Sequence, residues 1–244
     1  MKFKNCRKIN QIHDLHAKHF VWSTCKTIKI KYKIHIKKRA PNKECDPITG
    51  IDFTYIEQNP YHKTPEWLAV NPRGLVPALI HKGRSIIESP IIMEYLDEEW
   101  GFTAYHLLPR DTYLRSLTRL MCDVIERSII APYSIILKSP VVVDREKAKV
   151  KLLEGLLRLF SLADSKGPFL MGDEAGFADV MLVPHVQRIM VVLTEYRNMI
   201  VPSCMKFARF REWWSAVQNL ESYKTTAQSR ETLLMHYKKF VEVT

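Results

Sequence analysis

The sequence lacks a hydrophobic run long enough to cross a membrane. Its most apolar run within 244 residues is Ile129–Val143, which Pro132, Lys138 and Pro140 interrupt. A membrane-spanning helix requires about 18 or more consecutive apolar residues. We therefore predict that the chain does not span a membrane.

Cysteine pairs and an export signal are also missing. The five cysteines (Cys6, Cys25, Cys45, Cys122 and Cys204) include no C-x-x-C pair, which argues against a zinc site or a dithiol redox motif. The first residues contain no apolar segment of about 7–15 residues followed by a small-residue cleavage site. We expect reduced thiols, no metal site and a cytoplasmic protein.

Acidic residues are nearly absent from the first 40 residues. This segment holds 12 of the 37 Lys and Arg residues but only Asp14 of the 26 acidic residues, so the rest of the chain is neutral despite the net charge of +11. A nucleic-acid-binding protein usually carries its charge on a folded face. We therefore predict no nucleic-acid partner; a salt-dependent contact of residues 1–40 with nucleic acid or a membrane surface is the weaker alternative.

Two strands are expected near the start of the chain. Thr27–Lys37 alternates apolar and polar residues with period two, which indicates a half-buried strand, and a second strand follows at about Asp52–Glu57. Between them, Pro41, Pro47 and Gly50 make a crossover helix improbable.

Two helix starts follow, each marked by a hydroxyl residue before proline. Thr64 precedes Pro65, and Ser89 precedes Pro90. The remaining expectations are strands at Leu75–His81 and Ser85–Ile87, a tight turn at Lys82-Gly83, and a second helix to about Glu99 with Ile91, Ile92, Tyr95 and Leu96 on its buried side.

The pattern becomes helical after Trp100. Apolar residues recur at helical spacing in four segments: Leu114–Ile125, Val150–Phe160, Val180–Leu193 and Phe210–Val217. We expect an α/β unit followed by an all-α unit. The expected bounds are 1–50 for a divergent basic leader, 51–100 for the α/β domain, 101–111 for a linker and 112–244 for the helical domain.

A set of motifs resembles the glutathione transferases, and most closely the omega-like members found in fungi. The main one is Asn71-Pro72-Arg73-Gly74-Leu75-Val76-Pro77-Ala78-Leu79, followed by Ile87-Glu88-Ser89. Further matches are Asn59–Glu66, Gly167–Gly172 and Phe177–Val180, so that the likeness covers roughly residues 51–240. It implies a thioredoxin-like N-terminal domain with an irregular start, packed on an all-α C-terminal domain.

The resemblance implies a binding site for glutathione, the co-substrate. Val76 and Pro77 match the positions whose backbone pairs with the cysteinyl part, as a short antiparallel strand would if the bond is cis. Glu88 and Ser89 match the positions that hold the γ-glutamyl end at a helix N-terminus. Lys63 matches, one residue out of place, a lysine near the glycine carboxylate. Taken singly, these residues are a strand entry, an N-cap and a solvated lysine.

The start of the central helix also matches the family. Asp179 belongs to its capping box, but Gly176 stands where the family has Ser or Thr, so the side-chain half of the box is missing. We interpret Pro184, within this helix, as a kink.

The catalytic residue of the family is not matched. It is a Cys, Ser or Tyr after the first strand, at the N-terminus of the first helix, which here falls near Ile36–Arg39, where no residue can serve. Cys45 lies too close to the second strand, and Ser23, Thr24 and Cys25 precede a strand. The catalytic residue is therefore unknown. Either the leader is truly divergent, or a mistaken gene model or splice form has lost the first strand and helix.

The function implied by the resemblance is an enzyme that conjugates glutathione to a small electrophile or exchanges thiols with it, in detoxification or secondary metabolism. Leu117, Met121 and Ile125 either line the electrophile site or are plain core. The alternative is a non-catalytic glutathione- or ligand-binding protein, or a regulatory one, on the same fold. Family members are usually homodimers, so a homodimer is expected.

Overall fold

A computed structural model describes residues 31–36, 53–58, 62–100 and 106–241. The chain divides into two compact units, Met1–Leu107 and Leu108–Thr244. In the described residues the first unit contains a four-stranded sheet and two helices, and the second is helical.

The sheet of the first unit has the strand order β2-β1-β3-β4. The strands are β1 (Lys31–Ile36), β2 (Phe53–Gln58), β3 (Ala78–His81) and β4 (Arg84–Ile87). All four predicted strands are confirmed, with shifted ends. The predicted ends of the first strand lie outside the described residues, and β3 starts at Ala78 instead of Leu75, directly after Pro77, which has no N–H to donate to a ladder.

The first two strands run antiparallel. Lys31 pairs with Gln58 and Ile36 with Phe53, whereas β1 is parallel to β3. Parallel neighbours need a crossover of about a dozen residues or more, usually a helix, but antiparallel neighbours do not. The connection between β1 and β2, where the sequence analysis expected no crossover helix, lies outside the described residues.

Both helices of the first unit begin near the predicted positions. Helix α1 (Pro65–Val70) is capped by Thr64, whose hydroxyl accepts a hydrogen bond from the Trp67 amide at 3.3 Å. Helix α2 (Ser89–Trp100) buries Ile92, Met93 and Leu96, with Tyr95 half-buried. The prediction that Ile91 is buried is wrong, since Ile91 is 57% exposed.

The second unit is helical, as predicted. Its elements are α3 (Thr112–Ile125), a π-helical segment (Glu126–Ile130), α4 (Ala131–Lys138), α5 (Val142–Ser161), α6 (Phe177–Arg188), a second π-helical segment (Ile189–Leu193), α7 (Thr194–Arg197), a 3₁₀ turn (Met205–Phe207), α8 (Ala208–Asn219), α9 (Glu221–Thr226) and α10 (Arg230–Lys238). The predicted buried stripe of α3 is only partly confirmed, because Leu114 and Leu120 are exposed.

The longest apolar helix is at the centre of the second unit. Among the described residues, Phe177–Arg197 is long and apolar enough to cross a membrane by length and composition. However, 67% of its most apolar 18-residue stretch is buried inside the protein. The sequence analysis named Ile129–Val143 as the most apolar run and missed this one. Its burial is typical of a core helix, so it is weak evidence for a membrane span. The helix continues through Pro184.

The Asp179 carboxylate holds the start of α6 in place. It accepts hydrogen bonds from the Leu170 amide (3.0 Å), the Gly176 amide (2.9 Å) and the Trp213 indole (2.7 Å). Because glycine has no side chain, only the Asp179 half of the capping box forms, as the sequence analysis expected. Burial raises the pKa of Asp179, while these hydrogen bonds act in the opposite direction.

Candidate functional site

A loop shaped by Asn71 leads into the Val-Pro step. Asn71 is buried, and its side-chain amide donates to the Leu75 carbonyl at 2.7 Å while its side-chain oxygen accepts from the Arg73 amide at 3.1 Å. Its backbone carbonyl accepts from the Gly74 amide at 2.8 Å. This Asx-type turn fixes the path of the chain into Val76.

The Val76-Pro77 peptide bond is cis, the condition on which the sequence analysis based its interpretation. Among the described residues, none hydrogen-bonds to the backbone N–H or C=O of Val76. A donor and an acceptor on one residue at the entrance to a strand can pair with an extended peptide.

The β3–β4 hairpin brings the two parts of the predicted glutathione clamp, Val76-Pro77 and Glu88-Ser89, to one end of the sheet. Ala78 at the start of β3 lies opposite Ile87 at the end of β4. Pro77 directly precedes the first of these paired residues, and Glu88 directly follows the second. Segments about a dozen positions apart in the chain therefore flank the same end of the hairpin.

Glu88 connects the hairpin to α2. Its φ of 70° lies in the left-handed region, and its carbonyl accepts the Ile92 amide at 2.9 Å. Its carboxylate pairs with Arg73 Nη1 at 2.5 Å, although the two side chains are 41% and 62% exposed. Such an exposed pair stabilises the fold by at most about 1 kcal/mol. Its main effect is to hold the carboxylate beside the loop that precedes Val76.

The sequence analysis predicted that Ser89 is the N-cap of α2. In the structure Ser89 is instead the first helical residue, and Glu88 stands directly before the helix. In the described part of the chain no hydrogen bond engages the Ser89 hydroxyl. The ordinary capping role is therefore not realised, and the hydroxyl is available at a helix N-terminus, where carboxylates are favoured.

Lys63 lies against the same loop. Its ammonium donates to the Arg73 carbonyl at 3.2 Å. Its aliphatic stem passes over Gly74, where a Cβ would lie 2.5 Å from the Lys63 Cδ and where φ is +63°. Glycine is needed at this position both for its backbone conformation and for the passage of Lys63.

The structure thus brings all five predicted site residues to one region of the first unit. Sequence reasoning assigned no role to two further residues there, Asn71 and Arg73. An Asn at the start of a turn is a recognisable signal for a side chain that bonds the backbone two residues on. No local signal could have linked Arg73 to Glu88, because the contact spans 15 positions.

The candidate nucleophiles lie largely outside the described residues. These are Ser23, Thr24, Cys25 and Cys45, together with residues 37–39. In the helical unit, Cys122 is half-buried and Cys204 is exposed. Groups of His, Cys, Asp or Glu suited to a metal ion are absent from the described residues.

The residues considered for an electrophile site are mostly core. Met121 and Ile125 have no exposed surface, and Leu117 is half-buried. Complete burial of the first two favours the plain-core alternative.

A separate cleft of about 620 Å³ lies between α4 and α5. Its lining includes Ile135, Lys138, Lys147 and Lys151. None of the predicted site residues lines it.

Similarity to known proteins agrees with this geometry. Residues 21–99 match the family model described as glutathione S-transferase, N-terminal domain, a match that begins within the predicted leader. A probable glutathione S-transferase from Solanum tuberosum is 31% identical over 198 residues, which cover 80% of this chain and 87% of that protein.

Solved structures show the same fold. The Tau class glutathione S-transferase from mango has a TM-score of 0.70 at 19% identity, covering 91% of this chain and 94% of its own. Glutathione transferase Omega 3C from Trametes versicolor has a TM-score of 0.67 at 21% identity, covering 92% and 95%. Rice OsGSTU1, solved in complex with glutathione, has a TM-score of 0.64 at 25% identity, covering 77% and 83%.

The extent of these matches confirms a thioredoxin-like N-terminal domain followed by a helical domain. Since the potato relative exceeds 30% identity over most of both chains, the chain belongs to the glutathione S-transferase family.

Proposed function

We propose that this protein is a glutathione transferase that binds glutathione, its co-substrate, through Lys63, Val76, Pro77, Glu88 and Ser89. The observation that supports the proposal is the β3–β4 pairing of Ala78 with Ile87: the unpaired backbone groups of Val76 precede one of these residues, and the unengaged Ser89 hydroxyl follows the other. An extended peptide with a carboxylate at one end suits this arrangement. Family membership supports the same conclusion.

Calorimetric titration of glutathione into the full chain tests this site. We expect Ser89→Ala and Glu88→Gln each to weaken binding by about tenfold, the loss of one good hydrogen bond. Matched controls are Ser85→Ala in β4 and Glu98→Gln in α2, which are exposed and should leave affinity unchanged. If glutathione affinity is unchanged in both Ser89→Ala and Glu88→Gln, the proposed glutathione clamp is refuted.

The reaction is glutathione conjugation to a small electrophile, or thiol exchange. Aryl-halide conjugation and thiol-exchange assays on the titrated sample separate these from the alternative, binding without turnover, which the names of the relatives do not favour. If turnover is found, Cys25→Ser and Cys45→Ser locate a thiol nucleophile through loss of thiol exchange.

The finer class assignment is omega-like, as the fungal motifs suggest. A higher rate of thiol exchange than of aryl-halide conjugation would support it, and the reverse ratio would favour the Tau class of the mango enzyme. We also propose a cytoplasmic homodimer that serves detoxification or secondary metabolism. Light scattering should then give twice the chain mass of 28.6 kDa.

The domain bounds of the sequence analysis are proposed unchanged: leader 1–50, glutathione-binding domain 51–100, linker 101–111 and helical domain 112–244. The family match from residue 21 supports a leader that has diverged from the start of the domain instead of one added to it. Limited proteolysis should cut first within 101–111 if that segment is a linker.

A further inference from the structure

A buried arginine without an acidic partner lies in the helical unit. Arg188 on α6 is 4% exposed. Among the described residues, Arg188 makes one polar side-chain contact, which is between its Nη1 and Nδ1 of His185 at 3.4 Å. The Nε–H group of Arg188 has no acceptor among these residues. A guanidinium is always charged and offers five N–H donors. A buried charge of this kind is costly unless an anion compensates it.

A second buried donor lies near Arg188. Tyr133 on α4 is 5% exposed. Its hydroxyl makes no hydrogen bond of normal geometry, and its polar neighbours include Tyr237 and Arg188. Burial raises the pKa of Tyr133 well above its ordinary value, the nearby Tyr237 raises it further, and the charge of Arg188 lowers it. The phenol therefore stays protonated and lies within electrostatic reach of the guanidinium.

His185 is the neighbour that orients the Arg188 guanidinium. Burial, together with the charge of Arg188, lowers the pKa of His185 well below its ordinary value, so its ring is neutral. Because Arg188 can only donate, Nδ1 of His185 accepts and Nε2 carries the proton. His185 and Tyr237, at the edge of the cluster, are only partly buried.

The cluster is rich in donors and poor in acceptors. Within the described residues no salt bridge joins a carboxylate to Arg188. Water could satisfy the free N–H and O–H groups but would not balance the charge. A carboxylate does both, since its two oxygens match the planar guanidinium fork and can also accept from a phenol.

We propose that Arg188, Tyr133 and His185 form a binding site for the carboxylate group of a small organic acid inside the helical unit. This inference uses no residue of the glutathione clamp and holds whether or not the clamp does.

Titration of the full chain with sodium benzoate, and with benzamide as its neutral counterpart, tests the site. We expect benzoate to bind and raise the melting temperature, and benzamide to do neither. Arg188→Met should abolish benzoate binding, and Tyr133→Phe should weaken it about tenfold, the loss of one hydrogen bond. The control Arg158→Met, at an exposed position on α5, should bind benzoate as the wild type does.

The melting temperature without ligand separates this site from a purely structural arginine. Removing an uncompensated buried charge should leave the melting temperature of Arg188→Met unchanged or raise it. A large drop would mean that an acidic group of the protein already pairs with Arg188, and would overturn the proposal. Equal binding of benzoate and benzamide, binding of neither, or benzoate binding that survives Arg188→Met would overturn it as well.

Discussion

The buried Asp179 carboxylate offers a direct test of what stabilises the helical unit. Asp179→Ala would remove one acceptor from three donors at once: the Leu170 amide, the Gly176 amide and the Trp213 indole. All three residues are buried, so water cannot readily take the place of the carboxylate.

The expected loss is large on the scale of a protein's total stability. Each buried donor left without an acceptor costs about 1–3 kcal/mol, so three cost roughly 3–9 kcal/mol. Removal of a buried charge offsets part of this. We expect Asp179→Ala to lower the free energy of unfolding by about 4 kcal/mol or more, against a typical total of about 5–15 kcal/mol.

Two further variants make the measurement specific. Asp179→Asn keeps an acceptor for Leu170 and Trp213 but turns an amide donor toward Gly176, which should cost about 1–3 kcal/mol. Asp173→Ala removes an exposed aspartate from the same loop and should change stability by less than about 0.5 kcal/mol. Urea unfolding followed by tryptophan fluorescence measures all three. If Asp179→Ala shifts the midpoint no more than Asp173→Ala, the reasoning from these hydrogen bonds is refuted.

The pH dependence of this group has a definite sign. Burial raises the pKa of Asp179 in the folded protein above its ordinary value of 3.8. The native state therefore holds this proton more tightly than the unfolded chain, and the resulting stability is lost as the pH rises through the raised pKa. The stability of the wild type relative to Asp179→Asn should fall as the pH rises from about 4 to about 7.

Three other predictions concern single positions, and urea unfolding checks each. Gly74→Ala should lower the free energy of unfolding by about 1–2 kcal/mol because of the positive φ, and further because the new Cβ would clash with Lys63. In a Lys63→Ala background only the clash is removed, so part of the destabilisation should remain. Complete recovery of stability would contradict the argument from the backbone. Gly155→Ala should cost about 1–3 kcal/mol despite better helix propensity, because the new Cβ would lie 2.4 Å from the Ser128 carbonyl oxygen; a stabilised variant would disprove this close approach. Burial lowers the pKa of His185 well below 6.5, so the stability that this group contributes above that pH is lost as the pH falls. The wild type should therefore lose more stability than His185→Gln between about pH 7 and pH 5. Equal losses would contradict the lowered pKa of His185.

Local chemistry explains which elements could be predicted from the sequence. Thr64 before Pro65 marks a helix start by capping and by a preset φ, and the Lys82-Gly83 turn joins two strands whose residues alternate or cluster by polarity. These signals act over a few residues, so neighbours in the chain suffice to identify them.

The errors arise where burial depends on distant elements. Ile91 and Leu114 fit helical stripes but are exposed, because periodicity shows which residues share a face and not how far the neighbouring element covers it. The apolar run at Phe177–Arg197 was missed because it contains Asp179 and Arg188, two charged residues that the fold buries.

The α/β-then-helical organisation, the approximate helix starts and the residues proposed to hold glutathione could be predicted from the sequence. The pairing of Ala78 with Ile87, the ion pair of Arg73 with Glu88 and the antiparallel direction of β1 and β2 are evident only in the folded protein. Tertiary structure also decided that Arg188 is buried without a carboxylate among the described residues. Capping and periodicity depend on residues a few positions apart, whereas ion pairs, strand direction and burial depend on which distant segments the folded chain brings into contact.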